Sequence, residues 1–74
     1  IPNEPAVMYA VATALSMTTD IDKFENDMIY VSRMNKEFQM VYITDVLKLH
    51  PKLQQTKPFI DWAISNKDIF VDSK

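Results

Sequence analysis

Arg33 is the only arginine in this chain, against seven lysines, and chemistry would most readily begin there. Its planar fork can hold a carboxylate or phosphate with two hydrogen bonds, where a lysine offers a single point of charge. A position near the end of a helix favours a cation for structural reasons as well, so both readings attach to Arg33. Lys48, Lys52 and Lys57 flank His50 around one connection and form a mild basic patch, either a solvated corner or a contact for an acidic partner. Phe59 and Trp62 follow closely and raise the thought of base stacking, although a small bundle wants its largest side chain in the core. Of five methionines, Met28 and Met34 fall on an inward stripe. Met40 falls off the Phe38–Tyr42 stripe and is the candidate for an exposed, adaptable apolar contact, with Tyr30 as a second partner-facing residue.

The remaining reactive types lack companions. His50 is the only histidine, no second ligand stands at helical spacing, and the following Pro51 marks it as a helix-ending residue. Asp20, Asp22 and Asp27 suggest an acidic calcium loop, yet the loop's glycine is missing and Ile21, Phe24 and Met28 run through the segment with helical periodicity. That pattern makes the three acids the solvated face of a helix. Ser16, Ser32 and Ser65 read as turn or helix-surface residues, since none has a base beside it in the sequence. No catalytic residue and no metal ligand set is expected.

Composition narrows the classes further. The chain has no glycine, so it holds no phosphate-cradling loop and no dinucleotide fingerprint of its own. It has no cysteine, so neither disulfides nor thiolate metal sites can supplement its core. The net charge of −2 argues against a broad nucleic-acid footprint. The longest apolar run, residues 6–12, is far short of the roughly 20 residues of a membrane helix, and a cytoplasmic location is expected. At 74 residues, with 47% apolar content, the chain reads as one helical domain over residues 1–74, cut from a longer protein.

Four main helices must position these groups. The first opens with Asn3 as cap and Pro5 in its first turn. It is apolar on nearly every side, which predicts a place at the centre of the bundle. A turn over 16–20 precedes a helix capped by Thr19 or Asp20 and running to about residue 33, with Ile21, Phe24, Met28 and Val31 on its inner stripe. Asn35 caps a third helix, residues 36–49, stopped by Pro51. After a short turn over 51–55, Thr56 caps a fourth, with Pro58 in its first turn and Phe59, Ile60, Trp62, Ala63 and Ile64 on or near the inner side. Asn66 takes the left-handed cap, and residues 68–71 add an extended end or a half-turn. The expected fold is all-α, a small bundle of four to five helices. Its expected core is Val7, Val11, Leu15, Phe24, Met28, Val31, Phe38, Tyr42, Val46 and Trp62.

Two stretches carry a resemblance. Tyr30-Val31-Ser32-Arg33-Met34-Asn35-Lys36-Glu37-Phe38-Gln39 leads into Asp45-Val46-Leu47-Lys48, and Thr56-Lys57-Pro58-Phe59-Ile60-Asp61-Trp62-Ala63-Ile64-Ser65-Asn66 follows. Together with the opening Pro5-Ala6-Val7-Met8-Tyr9-Ala10, they resemble the C-terminal helical, lid-like subdomain of MoxR-like AAA+ ATPases of bacteria and phages. The resemblance implies that ATP binds in an upstream core outside this chain. It also implies that the lid leans on that core or on a neighbouring subunit, with Arg33 near phosphate. The functional expectation is a non-catalytic helical lid or interaction subdomain. The alternative is a free-standing adaptor, viral or regulatory, presenting its Met40 and Tyr30 side to a protein. A nucleic-acid module using Lys48, Lys52 and Lys57 comes third.

Overall fold

The structure is a computed structural model describing residues 4–71. Within them the chain is all-α, as its periodicity predicts. The elements are α1 (Pro5–Thr18), α2 (Phe24–Val31), α3 (Lys36–Leu49), a 3-10 turn (Pro51–Gln55), α4 (Lys57–Ser65) and a short α5 (Lys67–Val71). The expected Asn3 cap lies outside the described residues; Pro5 does occupy the first turn of α1.

Local hydrogen bonding moves several boundaries away from the pattern of apolar residues. The Asp20 side chain accepts a hydrogen bond from the Lys23 amide at 2.8 Å, closing a turn over residues 20–23 before any helix begins. α2 therefore starts at Phe24, and Ile21, expected on the inner stripe, is 52% exposed in that turn. At the other end the Arg33 and Met34 amides reach back three residues, to Tyr30 and Val31, which stops α2 at Val31 and buries Met34. Asn35 stands at the start of α3 as expected, but it serves through its carbonyl, which accepts from the Phe38 and Gln39 amides. Thr56 caps α4 with its side chain, accepting from the Phe59 amide at 3.4 Å. Asn66 does not adopt the expected left-handed conformation, having φ of −121°. Its side-chain amide instead donates to the Trp62 carbonyl at 2.8 Å and so ties the end of α4 from within.

α3 is the axis of the domain. It packs along α1 on one side and meets α2 and the 3-10 turn on others. Ala12, Phe24, Met28, Val31, Tyr42, Ile43, Val46, Leu53 and Trp62 form the main core, while Met8, Met34 and Phe38 form a smaller one near the start of α3. Phe24 and Tyr42 lie nearly parallel at 6.2 Å, and Tyr9 meets Phe38 edge-on at 5.1 Å. The 3-10 turn exists to deliver Leu53, which is fully buried.

Three expectations about burial are overturned. α1 is peripheral, since Met8, Ala12 and Ser16 are its only buried residues, and Val7 is exposed. Val11 and Leu15 are only half-buried. Four of the ten apolar residues of α1 are alanines, whose abundance reflects helix propensity and not a demand for burial, and Val7, Tyr9 and Met17 are exposed beside them. Ile60 and Ile64, on α4, point outward, because Phe59, Trp62 and Ala63 already fill its inner side. The third correction is Asp27, expected on the solvated face and found buried at 7% exposure.

Asp27 sits in a polar cluster that joins three elements. Its carboxylate accepts a hydrogen bond from the Tyr42 hydroxyl of α3 at 3.1 Å and one from the Thr19 hydroxyl at the end of α1. The Thr19 hydroxyl also lies 3.0 Å from that of Tyr42 and 2.7 Å from the Leu15 carbonyl. Lys23, one turn before Asp27, lies 3.8 Å from the carboxylate on the solvent side. His50 closes the arrangement: the Thr19 carbonyl can only accept, so His50 Nε2 donates to it at 2.9 Å. Among the described residues no buried side-chain polar atom lacks a partner. A half-satisfied cluster in so small a core would cost more than an apolar one, so its completeness is what makes it tolerable.

Asp27→Ala would remove the shared acceptor and leave the Thr19 and Tyr42 hydroxyls only each other and the Leu15 carbonyl, and is expected to lower the unfolding free energy by about 1–3 kcal/mol in urea titration. A loss below about 0.5 kcal/mol would contradict the cluster's structural role. Burial first, and then the Asp27 charge, push the Tyr42 hydroxyl well above the ordinary tyrosine value of 10.0. In the unfolded chain Tyr42 loses its proton near that ordinary value while the folded chain keeps it. The unfolded state thus binds fewer protons above it, and stability falls as pH rises. From about pH 10 upward this residue should cost up to about 1.4 kcal/mol of stability per pH unit, and Tyr42→Phe should abolish that component in denaturation series across the range.

Candidate functional site

The structure brings two of the sequence candidates together. Met40 and Lys48 both line a notch between α3 and α4, completed by Ile43, Thr44, Leu47 and Phe59, with a volume of about 320 Å³. The register explains it. Residues 40, 43, 44 and 47 stand three and four apart on one strip of α3, with Lys48 beside Thr44 at the end of that strip. Phe38, Tyr42 and Val46 occupy the neighbouring strip and face the core. Phe59 enters from the first turn of α4, held there by the Thr56 cap and packed 5.9 Å from Trp62. Met40 is therefore half-buried, packed against the core and open only towards the notch.

The walls are almost wholly apolar, and the polar groups sit at the rim. Thr44 contributes a hydroxyl and Lys48 an ammonium that forms no ion pair among the described residues. Such a notch suits one apolar side chain or a small apolar group next to a negative charge, with Lys48 as counter-ion. Its lining includes no carboxylate and no histidine, so neither the Thr44 hydroxyl nor the Lys48 amine has an acid–base partner among the lining residues.

The other candidates lie outside the notch. Lys57 does not line it with Lys48. It turns to Asp61 one helical turn along and bonds to it at 2.6 Å, and that hydrogen bond, with the Asp61 charge, holds its amine above the ordinary lysine value. Lys52 is exposed on the 3-10 turn. His50 is engaged in the fold through Thr19, as its position before Pro51 suggested. Tyr30 and Arg33 lie at the far end of α2 and in the connection after it. Arg33 precedes the first residue of α3 and Lys48 is near its last, a separation of about 20 Å along the helix at 1.5 Å per residue. Arg33 is exposed and makes no ion pair among the described residues. Met40 lines the notch, and Tyr30 is not among its lining residues.

A second concavity, on the opposite flank of α4, escaped the sequence reading. It is a groove of about 510 Å³ between α2 and α4, floored by Trp62 and Gln39. Gln39 is buried: its carbonyl accepts from the Trp62 indole N–H at 2.8 Å, and its amide donates to the Met34 carbonyl at 2.6 Å. That link fixes α4 against α3 and so sets the shape of both concavities. Gln39 stands three and four residues before Tyr42 and Ile43, so its inward position was legible, and only its polar type hid this role.

Among the described residues no group of three or more histidines, aspartates or glutamates is placed to hold a metal ion, and no helix is long and apolar enough to cross a membrane. No family model matches the chain, and no curated protein or solved structure matches it.

Breaking the Gln39–Trp62 bond should disturb both concavities without unfolding the domain. Gln39→Leu is expected to cost about 1–3 kcal/mol, from the indole N–H and the Met34 carbonyl left without their partner. The Trp62 fluorescence maximum should also change. An unchanged maximum and unchanged stability would show that the bond does not hold α4.

Proposed function

We propose that this domain is a non-catalytic, helical protein-contact module, and that its contact site is the α3–α4 notch. The observation that carries the reading is an apolar concavity on two rigid helices, with its only charge, Lys48, unpaired at the rim. A partner helix presenting one leucine-like anchor and an acidic residue one turn away would fill the notch and meet Lys48. Contact of this kind needs no reactive group, which agrees with the engagement of His50 and Asp27 in the fold.

The resemblance of the 30–39 and 56–62 stretches to AAA+ lids supplies one identity for the partner: an ATPase core or a neighbouring subunit, with ATP bound outside this chain. The unpaired, exposed Arg33 is consistent with a phosphate contact in such an assembly. As a free-standing adaptor the domain would use the same notch on a separate protein. A nucleic-acid module has less support, because the charge of Lys57, one of its three lysines, is offset by Asp61.

The reading is tested by titrating the domain with a helical peptide carrying a leucine and a glutamate one turn apart. Methyl resonances of Met40, Ile43 and Leu47 should shift to saturation, and Leu47→Glu should remove the response, by closing the notch with a negative charge. Shifts spread evenly over the chain, or none, would overturn it. Incubated with ATP and magnesium, the pure domain should release no phosphate above the protein-free control; measurable turnover would end the non-catalytic part of the reading.

A further inference from the structure

The α2–α4 groove has a different chemistry from the notch. Met28 and Ile29 of α2, with Pro58 and Trp62 of α4, form its apolar walls and floor, while Glu25 and Asp61 are its acidic lining residues. Glu25 and Asp61 stand at the same end. Lys57, which bonds to Asp61, also feels the charge of Glu25. Ser32 and Ser65 come one to two turns later on α2 and α4 and line the opposite end.

The charges do not cancel at the acidic end. Asp61 is matched by Lys57, but Glu25 forms no ion pair among the described residues, leaving one uncompensated carboxylate beside an apolar trough. Lys36, at the other end, is engaged by Asp68 at 2.8 Å and brings no free charge. Ile29 is 68% exposed over the groove, an unusual place for so large an apolar side chain without something to cover it.

We infer that the α2–α4 groove is a docking site for an arginine side chain of a protein partner, with the guanidinium held by Glu25 and the methylenes laid along Ile29 and Pro58. Arginine fits better than lysine. Its fork takes both oxygens of Glu25, and its outer nitrogens can share the free side of Asp61. Its three methylenes cover apolar wall that a small cation would leave wet. The site lies on the other side of α4 from the notch and does not depend on the notch being used.

The test uses the whole domain and N-acetyl-arginine amide, with N-acetyl-citrulline amide as the uncharged isostere. Chemical shifts are followed at the backbone amides of Glu25, Ile29 and Asp61 and at the Trp62 indole N–H. Arginine amide should give saturating shifts confined to these groups, citrulline amide should not, and Glu25→Gln should weaken binding by about threefold or more. Glu25 is exposed, so its replacement by glutamine should leave the folded spectrum otherwise intact. An equal response to citrulline amide, unaltered binding by Glu25→Gln, or no saturating shift in the tens-of-millimolar range would each overturn the inference.

Discussion

A carboxylate inside a domain of 74 residues constrains everything packed around it. Asp27 can be buried only while Tyr42 and Thr19 donate to it, and those two residues lie on α3 and at the end of α1. The cluster therefore fixes where α1 ends, how α2 is rotated and where α3 crosses both. Apolar packing alone would tolerate some sliding of these short helices, since Leu, Met and Val contacts are not directional. Hydrogen bonds to one charged group are directional, and they select one arrangement from several of similar apolar burial. His50, by donating to the Thr19 carbonyl, carries the same constraint to the end of α3 and so to the 3-10 turn that delivers Leu53.

The second constraint is the Gln39–Trp62 bond, which places α4. With α3 fixed by the first cluster and α4 by this bond, the two flanks of α4 become the chemically distinct surfaces of the molecule. One is an apolar notch with a lysine at its rim, the other a trough with a surplus carboxylate. Both are built on helices and not on loops, which suits recognition by shape and charge. Apolar anchoring on one flank and cation capture on the other would let a single partner straddle α4.

Much of this was legible in the residues themselves. Helix count, the Thr56 cap, the stop at Pro51 and seven of the ten expected core residues follow from period, caps and proline alone. Met40's position off the Phe38–Tyr42 stripe was legible too, although the structure places it half-buried in the notch and not exposed. The position of Asp27 is legible: it lies three residues after Phe24 and four before Val31, squarely on the inward stripe, although its charge suits a solvated face. Val7 went astray for the opposite reason, since an alanine-rich helix looks apolar all round without being buried. The α2–α4 groove was not legible, because it requires knowing that Glu25 and Asp61, thirty-six positions apart, line one groove between two helices that pack directly against each other.

The claim on which the rest stands is that Asp27 and Tyr42 act as one buried unit, and a double-mutant cycle reads this directly. Asp27→Asn, Tyr42→Phe and the combined variant, each measured by urea unfolding, should show a coupling of about 1 kcal/mol or more between the two positions. Additivity within about 0.3 kcal/mol would mean that the carboxylate and the phenol do not depend on each other, and the account of why these helices sit where they do would be contradicted.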